Sequence, residues 1–139
     1  MMNLERFLLL IFLMGLLGIA TELVLSEHTE TAWQWTPLIL IGLAVPALWA
    51  QGKALQIVLW LFLVSGVVGT VLHNRAKMEF QAESNPSLAG WELFLKSFDS
   101  KNPPALAPGA MVQLGLIGFA YQAARKARRS AFRERGIAT

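Results

Sequence analysis

The chain has 139 residues, a net charge of +3, a hydrophobic fraction of 55% and a charged fraction of only 15%. That length holds one domain, and that apolar excess is beyond what a soluble domain of this size carries. With no cysteine there can be no disulfide, no thiolate metal site and no thiol redox chemistry, which removes every oxidoreductase mechanism built on a cysteine pair.

The first element predicted is a span over residues 5–25. From Phe7 to Leu25 only Thr21 and Glu22 interrupt an apolar run, near the ~20 residues that cross ~30 Å of hydrocarbon. The run is longer than a signal-peptide core, so we expect a retained helix. Within it Gly15 and Gly18 are followed by Glu22 on the same helical face. Small residues let helix backbones approach closely in lipid, which should turn this face, and Glu22 with it, toward the other helices.

A short loop, residues 26–33, follows. The polar stretch from Ser26 to Thr36 contains Glu27, His28 and Glu30 and no Lys or Arg. The second span, 34–51, has a shorter apolar core from Pro37 to Ala50. It reaches crossing length if Trp33 and Trp35 lie in the interface, where indoles are favoured. Lys53 marks the tight turn into the third span, 54–73, in which Gly66 and Gly69 precede His73 with the spacing seen in span one.

Residues 74–104 form a long second loop. Its start should prolong the third helix, with Arg75 and Glu79 spaced for an ion pair. Asn85-Pro86 suits the cap and first position of a new helix. Trp91, Phe94, Leu95 and Phe98 then fall at i, i+3, i+4 and i+7, an amphipathic helix for a membrane surface or a partner protein. Pro103, Pro104 and Pro108 should turn the chain into the fourth span, 105–124, whose Gly115 and Gly118 share a face with Gln122. The tail, 125–139, holds Arg125, Lys126, Arg128, Arg129, Arg133 and Arg135 against one acid, Glu134.

Basic residues directly after a span point to the cytoplasm. The expectation is an all-α polytopic membrane protein, a compact bundle of four transmembrane helices with both termini cytoplasmic and a short extracytoplasmic amphipathic helix. A bacterial inner membrane is the expected location. Spans two and four echo one another in Leu38–Ala44 and Leu114–Ala120, each after a proline, which suggests a duplicated helical hairpin.

Chemistry is sparse. Glu22, His28 and His73 are candidate ligands for a divalent metal, with His73 and His28 candidates for a haem or pigment. His28 lies ~240° around an unbroken helix from Glu22, so the two converge only if that helix ends near Ser26. A Glu22–His73 pair could instead move protons or ions. No nucleophile, base and orienting group stand in a recognisable arrangement, so no enzyme is expected. The leading expectation is a non-enzymatic accessory or scaffolding subunit of a larger membrane complex, respiratory, photosynthetic or transport, without cofactor. Its partners would be lipids and other integral membrane subunits meeting Trp91, Phe94, Leu95 and Phe98, and not nucleic acid.

Overall fold

A computed structural model describes residues 2–26, 32–99 and 106–137. Among them the chain is helical, with no strand: α1 Leu4–Leu25, α2 Trp35–Ala50, α3 Gly52–Ser84, α4 Gly90–Asp99 and α5 Leu106–Ile137. Two of these, α1 and α3, are long and apolar enough to cross a membrane.

Local signals account for the boundaries. Asn3 caps α1, its side-chain oxygen accepting from the Arg6 amide at 2.9 Å, which satisfies one of the orphan donors of a helix start. A 3-10 turn, Ala32–Gln34, runs directly into α2. Together they measure about 30 Å end to end, from the rises of the two helix types. Pro37 and Pro108 each occupy the third position of their helix, inside the first turn where a missing donor costs little.

One residue separates α2 from α3. Gln51 takes a φ of 55° and Gly52 a φ of 58°, a left-handed pair that folds α3 back against α2. Gln51 is the one non-glycine residue with positive φ among those described. Its amide closes α2 on the Ala47 carbonyl at 2.8 Å, and its side chain bonds the Leu48 carbonyl. Those two bonds offset the strain of the conformation.

The four longer helices share a core that includes Phe12, Leu16, Leu40, Ala44, Leu55, Leu59, Phe62, Met111, Leu114 and Tyr121. The pairings run antiparallel: Gly66 and Gly69 meet Pro108 and Val112, while Gly115 and Gly118 meet Leu63 and Leu59. Gly15 packs on Leu114, and the Phe12 and Phe62 rings lie 6.3 Å apart. Thus α1 and α3 point one way, and α2 and α5 return. Glu5 forms an ion pair with Arg128 at 2.5 Å, so the start of α1 and the arginine-rich half of α5 lie at one end, the basic end. His73 lies toward the other, the His73 end.

Four differences from the sequence reading have physical causes. Glu22 is exposed, not turned inward. The buried stripe of α1 is Phe12, Leu16 and Leu23, about 100° away from Glu22, and nothing lies within 4 Å of a Cβ placed at Gly18. Asn85 does not start a helix: its amide donates to the Gln81 carbonyl at 2.9 Å and it ends α3. The basic tail is not a separate segment, because α5 continues unbroken to Ile137. And a Cβ placed at Gly42 would meet no other helix within 4 Å, whereas Gly118, its counterpart in the echo, packs against Leu59. The repeated pattern of spans two and four is not repeated in packing.

Helix α4 lies on the extension of α3 beyond His73. Ser97 is fully buried there; its hydroxyl donates to the Phe94 carbonyl at 2.7 Å and contacts Asn74 Oδ1 at 3.3 Å. The Arg75–Glu79 ion pair is present at 2.9 Å, on the exposed side of the same extension.

Candidate functional site

The His73 end contains an apolar cavity of about 530 Å³ bounded by α1, α2, α3 and α5. Ile19 and Leu23 supply one wall, Trp33 to Leu40 a second, Leu61 to Ala76 a third, and Pro108 with Met111 close it. Its size is within the range of small-molecule sites, about 300–1,000 Å³. Val64, Val68 and Leu72 line it and are also exposed, so it opens sideways onto the apolar surface of the molecule.

The glycines make this cavity. A Cβ at Gly66 would stand 2.8 Å from both the Pro108 carbonyl oxygen and the Val112 nitrogen, and one at Gly69 would stand 3.2 Å from Pro108 Cβ. Backbones this close bring Pro108 against α3 just below His73. The cavity opens beyond that contact, beside His73 and between the start of α5 and the residues of α2 that line it.

Few polar groups face in: His73, Ser65, Gln34 and Thr36. Ser65 bonds back to the Phe62 carbonyl at 3.1 Å. The His73 ring is half-buried, with Nδ1 2.9 Å from the Gly69 carbonyl oxygen. A carbonyl can only accept, so Nδ1 carries the proton in that contact, which makes Nε2 the atom able to accept or to ligate. Gln34 and His73 both make further interactions.

The remaining candidates are distributed differently. Glu22 does not line the cavity; it stands exposed on the flank of α1, and its carboxylate has no hydrogen-bonding or ionic partner among the described residues. His28, with Glu27 and Glu30, lies outside the described residues, as do Pro103 and Pro104. Among those described, no group of three or more His, Asp or Glu side chains could hold a metal ion.

On α4, Phe94 is half-buried and acts as a spacer, its ring 5.0 Å from Trp91 and 5.1 Å from Phe98. Trp91, Leu95 and Phe98 are 69%, 52% and 63% exposed. The helix therefore docks through Leu93, Phe94 and Ser97 and turns an aromatic ridge away from the protein. Sequence reasoning placed Phe94 on the exposed face with Trp91, Leu95 and Phe98, and it missed Ser97 and Leu93, which dock beside Phe94. A small polar residue one turn from a leucine, facing Asn74, was the available signal.

Comparison of the chain with protein-family models, with curated proteins and with solved structures finds no match to any of them.

Proposed function

We propose that this protein is a non-enzymatic subunit or scaffold of a larger integral membrane complex, crossing the membrane with α1, α2, α3 and the apolar half of α5. Two further features favour four crossings. Trp33 and Trp35 stand at one end of α2 and Trp49 at the other, all exposed, at the separation expected of two aromatic belts. Apart from Glu22, the charged surface among the described residues is confined to the two ends, with the arginines of α5 at the end proposed to be cytoplasmic and α4 outside.

The observation that carries the subunit reading is Glu22. A carboxylate facing hydrocarbon is costly, most so at the centre of a span; Glu22, three residues from the end of α1, is exposed on an apolar flank with no partner among the described residues. A polar group on a second membrane protein relieves that cost. The aromatic ridge of α4 lies at the same end and offers that partner a second contact.

The test is mild-detergent purification of the tagged full chain, with a photo-crosslinker in place of exposed Leu25, which leaves Glu22 intact, or in place of exposed Phe132 on the far end. A stoichiometric integral membrane partner, crosslinked from 25 and not from 132, and lost in Glu22→Ala, is the expected result. A stable, monodisperse protein with no partner, or crosslinks to lipid alone from position 25, overturns the reading.

The cavity beside His73 favours one alternative, an apolar ligand such as a pigment or haem held there against the His73 ring. Absorption spectra and metal analysis of the purified protein test it: a band lost in His73→Leu supports it, and a colourless, metal-free protein refutes it.

A further inference from the structure

A second concavity lies at the basic end, about 670 Å³ in volume, between the start of α3 and the middle of α5. Lys53, Arg125, Lys126, Arg129 and Arg133 line it, and no carboxylate does. Residues 122, 125, 126, 129 and 133 fall within an arc of about 100° on α5, by helical geometry, so these cations occupy one face rather than the whole circumference.

The rest of this end explains why that face is unneutralised. Glu5 is taken by Arg128, on the side of α5 turned to α1. On the α3 side, Lys53, Lys126, Arg129 and Arg133 have no carboxylate partner among the described residues. The floor is built: Gln122 donates to the Gly52 carbonyl at 3.0 Å, and Arg125 donates to the buried Tyr121 hydroxyl at 2.8 Å. The first amides of α3, at Gly52 and Lys53, have no side-chain cap, so the positive end of that helix opens into the groove.

Orientation in a membrane needs only basic residues near a span; it does not need them gathered over a concavity with uncapped amides at its base. Guanidinium groups match phosphate oxygens in paired hydrogen bonds, and the lysines add point charge. We infer that this groove binds a phosphate-bearing anion, most favourably one with two phosphate groups, since five cations over-neutralise a single one. On the membrane reading above, the groove lies at headgroup depth, where a lipid with such a headgroup is the natural source.

The test uses the full chain in mild detergent and native mass spectrometry. The probes are a four-chain diphosphate lipid, phosphatidylcholine, inorganic pyrophosphate and a single-stranded oligonucleotide. The groove variant is Lys126→Gln/Arg129→Gln/Arg133→Gln, all exposed positions with no role in packing; the control, Arg6→Gln/Lys77→Gln/Arg135→Gln, removes the same charge elsewhere. The diphosphate lipid should be retained over phosphatidylcholine, and its retention should fall on the order of tenfold in the groove variant while the control stays near wild type. Displacement by pyrophosphate assigns the site to free anions and lack of displacement assigns it to lipid; either supports the site. Equal loss in both variants, no loss in either, or tighter binding of a single-stranded oligonucleotide than of the lipid overturns it. If the protein proves not to be a membrane protein, the pyrophosphate probe still reads the groove, so the two failures are distinguishable.

Discussion

Gly66→Ala adds one methyl group where α3 and α5 are closest. Its Cβ would lie 2.6 Å from Val112 Cγ2 and 2.8 Å from the Pro108 oxygen and the Val112 nitrogen. A side chain can rotate away, but the two backbone atoms cannot. Ordinary contact begins at 3.4 Å, so the helices must part by about 0.6 Å, a gap that forfeits a quarter or more of the dispersion energy across the contact. Overpacking of this kind costs roughly 1–3 kcal/mol, against a helix-propensity gain of at most about 1 kcal/mol for Gly to Ala. The expected net loss is about 1–2 kcal/mol. Gly18→Ala is the matched comparison, because a methyl there meets nothing within 4 Å; it should be neutral or stabilising by up to about 1 kcal/mol. Reversible unfolding of each variant by SDS in mild micelles, followed by tryptophan fluorescence, measures both. If the two variants fall within about 0.5 kcal/mol of each other, the claim that the α3–α5 seam is set by backbone contact is refuted.

Three other outcomes follow from the packing. Glu5→Gln should cost about 1 kcal/mol, a modest figure because Arg128 is 58% exposed even though Glu5 is only 11% exposed; the loss should shrink in high salt, and a salt-independent loss would show that Glu5 acts through packing. Ser97→Ala removes a buried hydroxyl worth about 1 kcal/mol, so amide exchange in α4 should quicken roughly fivefold with α3 unchanged; unaltered exchange means that Leu93 and Phe94 alone hold α4. Phe62→Ala empties a fully buried position and should cost roughly 2 kcal/mol, less than in a soluble core because lipid solvates separated helices too; in the same SDS titration the exposed Val67→Ala should stay within about 0.5 kcal/mol.

Run lengths located the long helices, and the glycine pairs marked the α3–α5 seam, since no other residue permits so close a contact. What could not be read was direction. Helix α1 is apolar on every side, so periodicity says nothing about which face is buried; Leu114 chooses Gly15, Phe62 chooses Phe12, and Glu22 is carried outward. The same limit hid Gln122 and Gly52, 70 residues apart in the chain, because that bond exists only once the α3–α5 register is set. At Asn85 the competing signal was local: the residue suits the end of a helix as well as the start of one, and α3 reached it first. For His28 the described residues offer no outcome.

Because α5 is a single unbroken helix, its two halves cannot move independently. Pro108 walls the cavity beside His73 and Arg125 lines the groove at the basic end, about 26 Å apart along the axis. Gly66 and Gly69 seat Pro108 and Val112, while Gly115 and Gly118 seat Leu63 and Leu59, so α5 is keyed to α3 over most of the distance between the two hollows. A slip of register at one of those seats has no room at the others. The two hollows are therefore the open ends of one interlocked seam, and their spacing is fixed by it.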